Sequence, residues 1–249
     1  MKRLALAALL AATTASPLLA FDIDAMSEDE RTAFRAEIRA YLMENPEVLL
    51  EAINVLEQRQ AAQQVEGDRE LVRVNGDEIF EDPDSWVGGN PEGDITVVEF
   101  LDYQCGYCKR AHPEVKELLS VDGNIRYIVK EFPILGDASV LASRFAIAVL
   151  REAGGEAYRQ VNDALMTMRG QVNVVSLEGI AGDLGLDVDG IMTAMQDPDI
   201  DRVIAENRAL AQRLQINGTP SFIFQTEMLR GYVPLDGMLE VVAGIRSEG

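Results

Sequence analysis

The chain is poor in the residues that most often build metal centres. It has two cysteines, Cys105 and Cys108, and one histidine, His112, among 249 residues. Structural zinc usually takes four ligands, so cysteine and histidine alone cannot complete such a site. His112 falls four residues after Cys108, which leaves a three-ligand cluster open as the metal alternative. No further cysteine is present to mispair with these two. Positive charge is also scarce, with 22 Lys and Arg against 42 Asp and Glu and a formal net charge of −20. So acidic a chain is a poor partner for nucleic acid or anionic lipid. The charge reads as solubility, with attraction to basic or metal-ion partners as the sharper alternative. After the first twenty residues no segment approaches 18 consecutive apolar residues, so no membrane span is expected. Internal repeats and low-complexity tracts are absent. Apolar residues are plentiful, and a hydrophobic content of 47% supports a real core.

The cysteines follow the run Thr96-Val97-Val98-Glu99-Phe100-Leu101, which is apolar, rich in β-branched residues and reads as a buried strand. Asp102-Tyr103-Gln104 ends the run. The segment from Cys108 to Leu119 reads as a helix, which puts Cys105 at or just before its N-terminus. Unpaired N–H groups and the positive end of the helix dipole favour a thiolate there over a thiol. A depressed pKa makes a cysteine reactive near neutral pH. Cys108, one turn further in, is the shielded resolving thiol. Pro113 lies inside the helix, where it removes a hydrogen bond and kinks it. His112 reads as a surface residue of this helix that tunes local charge. Glu99 is a carboxylate in an otherwise apolar strand, which is costly unless it is paired or bridged by water. The cation expected beside it is Lys130, on the strand read over 125–132.

Strand, Cys-x-x-Cys, helix and kinking proline resemble the thioredoxin superfamily, and more closely its DsbA-like branch of bacterial periplasmic oxidoreductases. A second match is Ile216-Asn217-Gly218-Thr219-Pro220-Ser221-Phe222, which is similar to the loop whose cis-proline faces the active-site disulfide in that family. X-Pro is the one peptide bond for which cis is cheap. The resemblance runs from about residue 71 to the C-terminus. It implies an α/β thioredoxin fold with an inserted helical domain, no cofactor and no metal. It also implies a redox disulfide between Cys105 and Cys108, and a substrate-binding edge at Thr219 and Pro220 that pairs with an extended segment like an added strand. Glu99 takes the place of a buried acid that relays protons to the thiols. Gly106 and Tyr107 take the place of the dipeptide that tunes the redox pair. Strong oxidases of the branch tend to carry Pro-His there; Gly-Tyr brings no such cation, so a milder oxidant is expected. Gly-Tyr, with Thr before the cis-proline, is similar to the oligomeric disulfide isomerases.

Residues 1–20 read as a secretory signal peptide, with Lys2-Arg3, an apolar run and small residues up to a cleavage site near Ala20. A periplasmic address is therefore expected, with cysteine-containing exported proteins as substrates and a membrane or soluble redox partner. Residues 21–66 read as an N-terminal helical arm. Ser27-Glu28-Asp29-Glu30 is a capping box, Phe34, Ile38, Tyr41 and Leu42 form one stripe, and Asn45-Pro46 separates this helix from a second bearing Val48, Leu49, Ala52, Ile53 and Leu56. So small a unit cannot bury enough surface to stand alone. It packs on its own domain or on another copy, and the layout resembles the oligomerisation arm of suppressor-of-copper-sensitivity proteins.

The domain proper is read over 67–249, with Gly67 as a hinge and Leu71-Val72-Arg73-Val74 as an edge strand. Asn75-Gly76 reads as a hairpin turn, and 82–93 as a loop with Trp86 on its floor. A helical insertion is read over about 138–214, with Ser176 capping one of its segments, and an antiparallel pair and a last helix follow. Together these features point to an exported thiol–disulfide oxidoreductase, an isomerase or mixed oxidase/isomerase. The alternatives are a monomeric dithiol oxidase and a thiol protein that handles copper or zinc.

Overall fold

A serine cap starts the first helix. Glu30 N–H donates to Ser27 Oγ and Ser27 N–H donates to the Glu30 carboxylate, so the capping box forms as read. Helix α1 spans Glu28–Glu44 and α2 spans Glu47–Val74, with Asn45-Pro46 between them. The computed structural model describes residues 23–248; the signal peptide read over 1–20 lies outside them. The chain divides into two compact units between Arg59 and Gln60. In the first, α1 buries none of its residues, and Ile38 and Tyr41 are 44% and 54% exposed. Leu49, Ile53 and Leu56 of α2 are also about half exposed.

The edge strand and hairpin expected over residues 71–76 do not form. α2 instead runs unbroken through Gly67 to Val74, and a short helix α3 (Gly76–Phe80) follows. The polar, helix-favouring run over 57–64 has already met the cost of nucleation, so each further residue adds one hydrogen bond. That gain carries the helix through a glycine costing roughly 1 kcal/mol. Packing then selects the helical period. Asp68 and Val72, one turn apart, are buried, while Val74 is 65% exposed. A strand would have put Val72 and Val74 on one face.

The sheet has five strands: β1 (Trp86–Gly89), β2 (Ile95–Leu101), β3 (Ile125–Glu131), β4 (Ser221–Phe224) and β5 (Glu227–Arg230). Their order is β1-β3-β2-β4-β5. Among the described residues only β2 and β3 pair in parallel, joined through α4 (Gly106–Asp122) as a βαβ unit. Gly123, at φ +68°, ends α4 in the left-handed region that favours glycine. Trp86 is not on a loop floor but in β1, stacked on Tyr158 at 5.2 Å, with its indole N–H donating to the Gly155 carbonyl at 2.8 Å.

Between β3 and β4 stand α5 (Asp137–Thr167), α6 (Val174–Asp183), α7 (Val188–Ala194) and α8 (Pro198–Arg213), the expected helical insertion. α5 breaks at Gly154, whose φ of +81° suits glycine. Asn173, not Ser176, caps α6; Ser176 closes the box from the third position. α9 (Leu235–Glu248) ends the described chain.

Alternation along the strands sorts the side chains between two cores. Val97, Leu101, Tyr127, Val129, Phe222 and Phe224 pack with both cysteines, α4 and α5. Val98, Phe100, Ile128 and Ile223 pack on the other face with Val72, Ile79, Leu210 and Leu214. Because β2 is covered on both faces it reads as a nearly continuous apolar run.

Candidate functional site

β2 ends at Leu101, and the next residue sets the cysteine loop. The Asp102 carboxylate, fully buried, accepts from the backbone N–H groups of Gln104, Ile134 and Leu135 at 2.7, 2.8 and 3.0 Å. Three such donors satisfy a buried carboxylate and tie the turn after β2 to the loop after β3. Cys105 then becomes the N-cap of α4, with extended backbone and no side-chain cap of its own. Cys108 lies inside the first turn and is fully buried, whereas Cys105 is 7% exposed. Both cysteines carry free sulfurs in this structure.

The far side of the site is the loop before β4. The Thr219–Pro220 peptide is cis, and Cys105 Sγ lies 3.1 Å from the Thr219 carbonyl oxygen. Gly231 N–H donates to the Pro220 carbonyl at 2.9 Å and anchors the loop to the end of β5. Thus residues 114 positions apart meet at one sulfur.

The two thiols are driven apart electrostatically. A hydrogen bond from the Cys108 thiol, helped by the Thr219 hydroxyl and by the N–H groups of Cys108 and Tyr107, holds Cys105 down to about 5 against the opposing effect of burial. The Thr219 carbonyl is the one partner that favours the protonated thiol, and the donors outweigh it. Burial first, then the bond to Cys105 and the nearby Glu99, push Cys108 far up. One sulfur is a thiolate at neutral pH and its neighbour a thiol.

Glu99, 2% exposed, lies on the cysteine side of β2, and burial pushes its carboxyl up to about 7. Its hydrogen-bond partner is the Tyr127 hydroxyl, not Lys130. The parallel register explains this correction. Glu99 stands opposite Val129 and Phe100 opposite Lys130, so Lys130 rises from the opposite face of the sheet. There its ammonium donates to Asp82 at 2.5 Å and to the Glu78 carbonyl at 2.7 Å. Lys130 is therefore not at the site.

His112 is also corrected. It is mostly buried, its Nε2 is 2.7 Å from Asp163 Oδ1, and burial lowers its proton affinity, so it brings no charge to the thiols. Among the described residues no group of three or more His, Cys, Asp or Glu side chains is arranged to hold a metal ion. Gly106 and Tyr107 lie exposed between the cysteines, and the Tyr107 ring faces that of Tyr232 at 6.4 Å.

Sequence reading misses Tyr127 and also a second buried acid. Glu131, 4% exposed, accepts from the hydroxyls of Tyr103, Tyr158 and Ser143 at 2.7, 2.6 and 2.7 Å. Burial pushes it up to about 7 as well. The signal that singles out Glu99, a carboxylate in an apolar strand, is equally present in Ile125-Arg126-Tyr127-Ile128-Val129-Lys130-Glu131.

Residues 96–243 match the DSBA-like thioredoxin domain, and residues 30–63 match the copper resistance protein ScsC N-terminal domain. Among solved structures, a thioredoxin-like oxidoreductase from Silicibacter pomeroyi DSS-3 is 42% identical with a TM-score of 0.64, covering 69% of this chain and 97% of that one. The thiol-disulfide exchange protein alpha-DsbA2 from Wolbachia pipientis is 29% identical with a TM-score of 0.69, covering 74% and 98%. A Na(+)/H(+) antiporter NhaA 1 from Salinispora arenicola is 34% identical over 164 residues, which are 65% of this chain and 25% of that protein. The chain spans about a quarter of the length of the curated relatives it matches. With its cysteine pair at the start of α4 and a cis-proline opposite, the chain belongs to the DSBA-like thioredoxin domain family, whose members are thiol–disulfide oxidoreductases.

Proposed function

We propose that the chain is exported to the periplasm and exchanges disulfides with cysteine-containing exported proteins through Cys105 and Cys108, as an isomerase or a mixed oxidase/isomerase. The observation that carries this reading is the opposed state of two sulfurs one helical turn apart. Cys105 is held as a thiolate against the Thr219 carbonyl, and Cys108 is buried as a thiol.

In isomerisation the Cys105 thiolate attacks one sulfur of a mispaired substrate disulfide. That S–S bond breaks, a mixed disulfide forms, and the second substrate sulfur leaves with the electron pair as a thiolate. Another substrate thiolate then attacks the mixed disulfide and expels Cys105, whose low proton affinity makes it a good leaving group. The net change is a rearranged substrate with no oxidation. In oxidation, a substrate thiolate attacks Cys105 of the disulfide form. The Cys105–Cys108 bond breaks, and Cys108 leaves with the electron pair and takes a proton from Glu99. A second substrate thiolate then displaces Cys105, the substrate is oxidised and the enzyme is left as the dithiol. A membrane or soluble redox partner restores whichever form the direction requires.

Thr219 and Pro220 are the edge on which an extended substrate segment lies. Gly106 and Tyr107 set a moderate oxidising strength, since neither brings a cation to the thiolate. The half-exposed apolar side chains of α1 and of the first half of α2 support self-association through residues 21–66, which would present more than one active site to a substrate.

The test pairs refolding of a scrambled substrate with oxidation of a reduced one, each with and without residues 21–66, and light scattering for mass. Loss of isomerisation but not of oxidation on truncation, together with a fall to monomer mass, is the expected result. Equal isomerisation by a truncated monomer removes the arm from the reading. A Cys105→Ser variant that still exchanges disulfides overturns the assignment of the nucleophile.

A further inference from the structure

The parity that sends Lys130 to the far face has a second effect on the cysteine side. Glu131 is registered with Leu101, two positions beyond Glu99. The two carboxyls therefore rise from the same sheet face on neighbouring parallel strands, one diagonal step apart. Their side-chain partners are hydroxyls: Tyr127 for Glu99, and Tyr103, Tyr158 and Ser143 for Glu131. Asn162 of α5 donates to the Tyr103 hydroxyl at 3.2 Å, and Asn207 of α8 donates to the Glu131 backbone carbonyl at 3.1 Å. The other titratable groups coupled to the pair are Cys105 and Cys108 at Glu99, and Asp102 at Glu131. No cation is among these influences.

We propose that Glu131 is a positioning residue for the proton that Cys108 takes up: its carboxyl shares the dry sheet face with Glu99, and its charge there makes Glu99 hold its proton more tightly than it would alone. This rests on the thiol–disulfide exchange reading above. Two like charges on one dry face cannot both form cheaply, and such sites lose their protons in two separated steps belonging to the pair. Burial raises each acid, and Glu131 is among the groups that raise Glu99 further. When the Cys105–Cys108 bond is broken by an incoming thiolate, the electron pair goes to Cys108. The proton comes from Glu99, which becomes a carboxylate until solvent reprotonates it. Tyr103 adds a geometric link, since it lies in the loop two residues before Cys105 and its hydroxyl ends on Glu131.

The experiment uses the oxidised full chain and a reduced dithiol peptide. The rate of reduction of the Cys105–Cys108 bond is followed by stopped flow from pH 5 to pH 8. The ratio of variant to wild-type rate cancels the titration of the peptide's own thiols. For Glu131→Gln the ratio is expected to fall severalfold across this range, because Glu99 titrates lower without its charged neighbour. In a Glu99→Gln background the same substitution is expected to leave the ratio flat. The pH at which Cys105 is half alkylated in the reduced chain should stay in place. A ratio for Glu131→Gln that is constant with pH, whatever its size, overturns the proposal and leaves Glu131 as packing alone. Should Glu131→Gln fail to fold, Ser143→Ala removes one donor to the Glu131 carboxylate. It is expected to lower the ratio in the same direction by a smaller factor, and a flat ratio there overturns the proposal equally. A wild-type chain that exchanges nothing with the peptide refutes the underlying function instead, so the two failures are distinct.

Discussion

The two faces of the β2–β3 pair bury charge in opposite ways. On one, Lys130 is 1% exposed and meets Asp82, which keeps a fifth of its side chain in water. Opposite charge offsets the cost of burial, and the Asp82 carboxyl falls below the ordinary carboxylate range through the Lys130 contacts despite its partial burial. On the other, the Glu99 and Glu131 carboxylates accept hydrogen bonds from hydroxyl groups, and burial pushes both up to about 7. A paired buried charge is locked into one protonation state and serves structure. A buried acid given only neutral donors sits near its own titration point and can pass a proton.

The largest effect expected from this contrast is on the pH dependence of stability. Glu99 and Glu131 have folded values of about 7, above the unfolded value of about 4.3. Their protonated forms therefore support the fold fully below about pH 4.3, and that support is lost as pH rises through about 7. For each group, every tenfold difference in proton affinity between folded and unfolded chain is worth at most about 1.4 kcal/mol. Asp82 has the opposite sign: it supports the fold above its unfolded value near 3.9, and the support is lost as pH falls through its lower folded value. Cys105, lowered to about 5 from an unfolded value near 8.5, adds stability to the reduced chain as pH rises between these values. Denaturant melts of the oxidised chain should thus weaken from pH 5 to pH 7, and the reduced chain should weaken less. A pH-independent oxidised chain would break the comparison.

Next in size is Glu99→Gln, which removes the proposed proton donor without leaving a bare charge. It is expected to slow reduction of the enzyme disulfide by a test peptide about 10²-fold at pH 7, with little change in the unfolding midpoint. Lys130→Ala should do the reverse. Losing one partner of a buried pair costs about 3–5 kcal/mol. Because Asp82 remains partly wet, a loss of about 2 kcal/mol in urea unfolding is expected, with exchange rates unchanged. A fall in exchange rate matching that of Glu99→Gln would return Lys130 to the site. The smallest effect belongs to Tyr127→Phe. It removes the hydroxyl that donates to the Glu99 carboxylate, so the Glu99 titration moves up and exchange at pH 7 changes by about threefold or less.

Much of the site is legible in the order of the residues. The cysteines, the start of α4, the kinking proline and the loop at Thr219-Pro220 carry their own local signals. So does the insertion between β3 and β4, although its cap at Asn173 stands three residues before the expected Ser176. The expected Glu99–Lys130 pairing fails because both strands are visible in the chain while their register is not. Moving a parallel partner by one residue exchanges every side chain between faces, and no residue in 95–101 or 125–131 states that offset. The expected strand at Leu71-Val72-Arg73-Val74 fails because four residues fit an alternating and a helical pattern equally well. The choice falls to a helix already propagating from upstream and to a core that accepts Val72 while leaving Val74 outside.

The sequence by itself determined where a reactive sulfur stands, because a cysteine at a helix N-terminus and most of its donors, Cys108 and the N–H groups of Tyr107 and Cys108, lie within one turn of chain and need only a helix to form. It also determined the acidity of the chain and the apolar stripes near its beginning. Only the tertiary structure decided which buried charges meet. That depends on strand register and on segments brought in from tens of residues away, and the sign of each contact, ionic or neutral, follows from the face on which a side chain emerges.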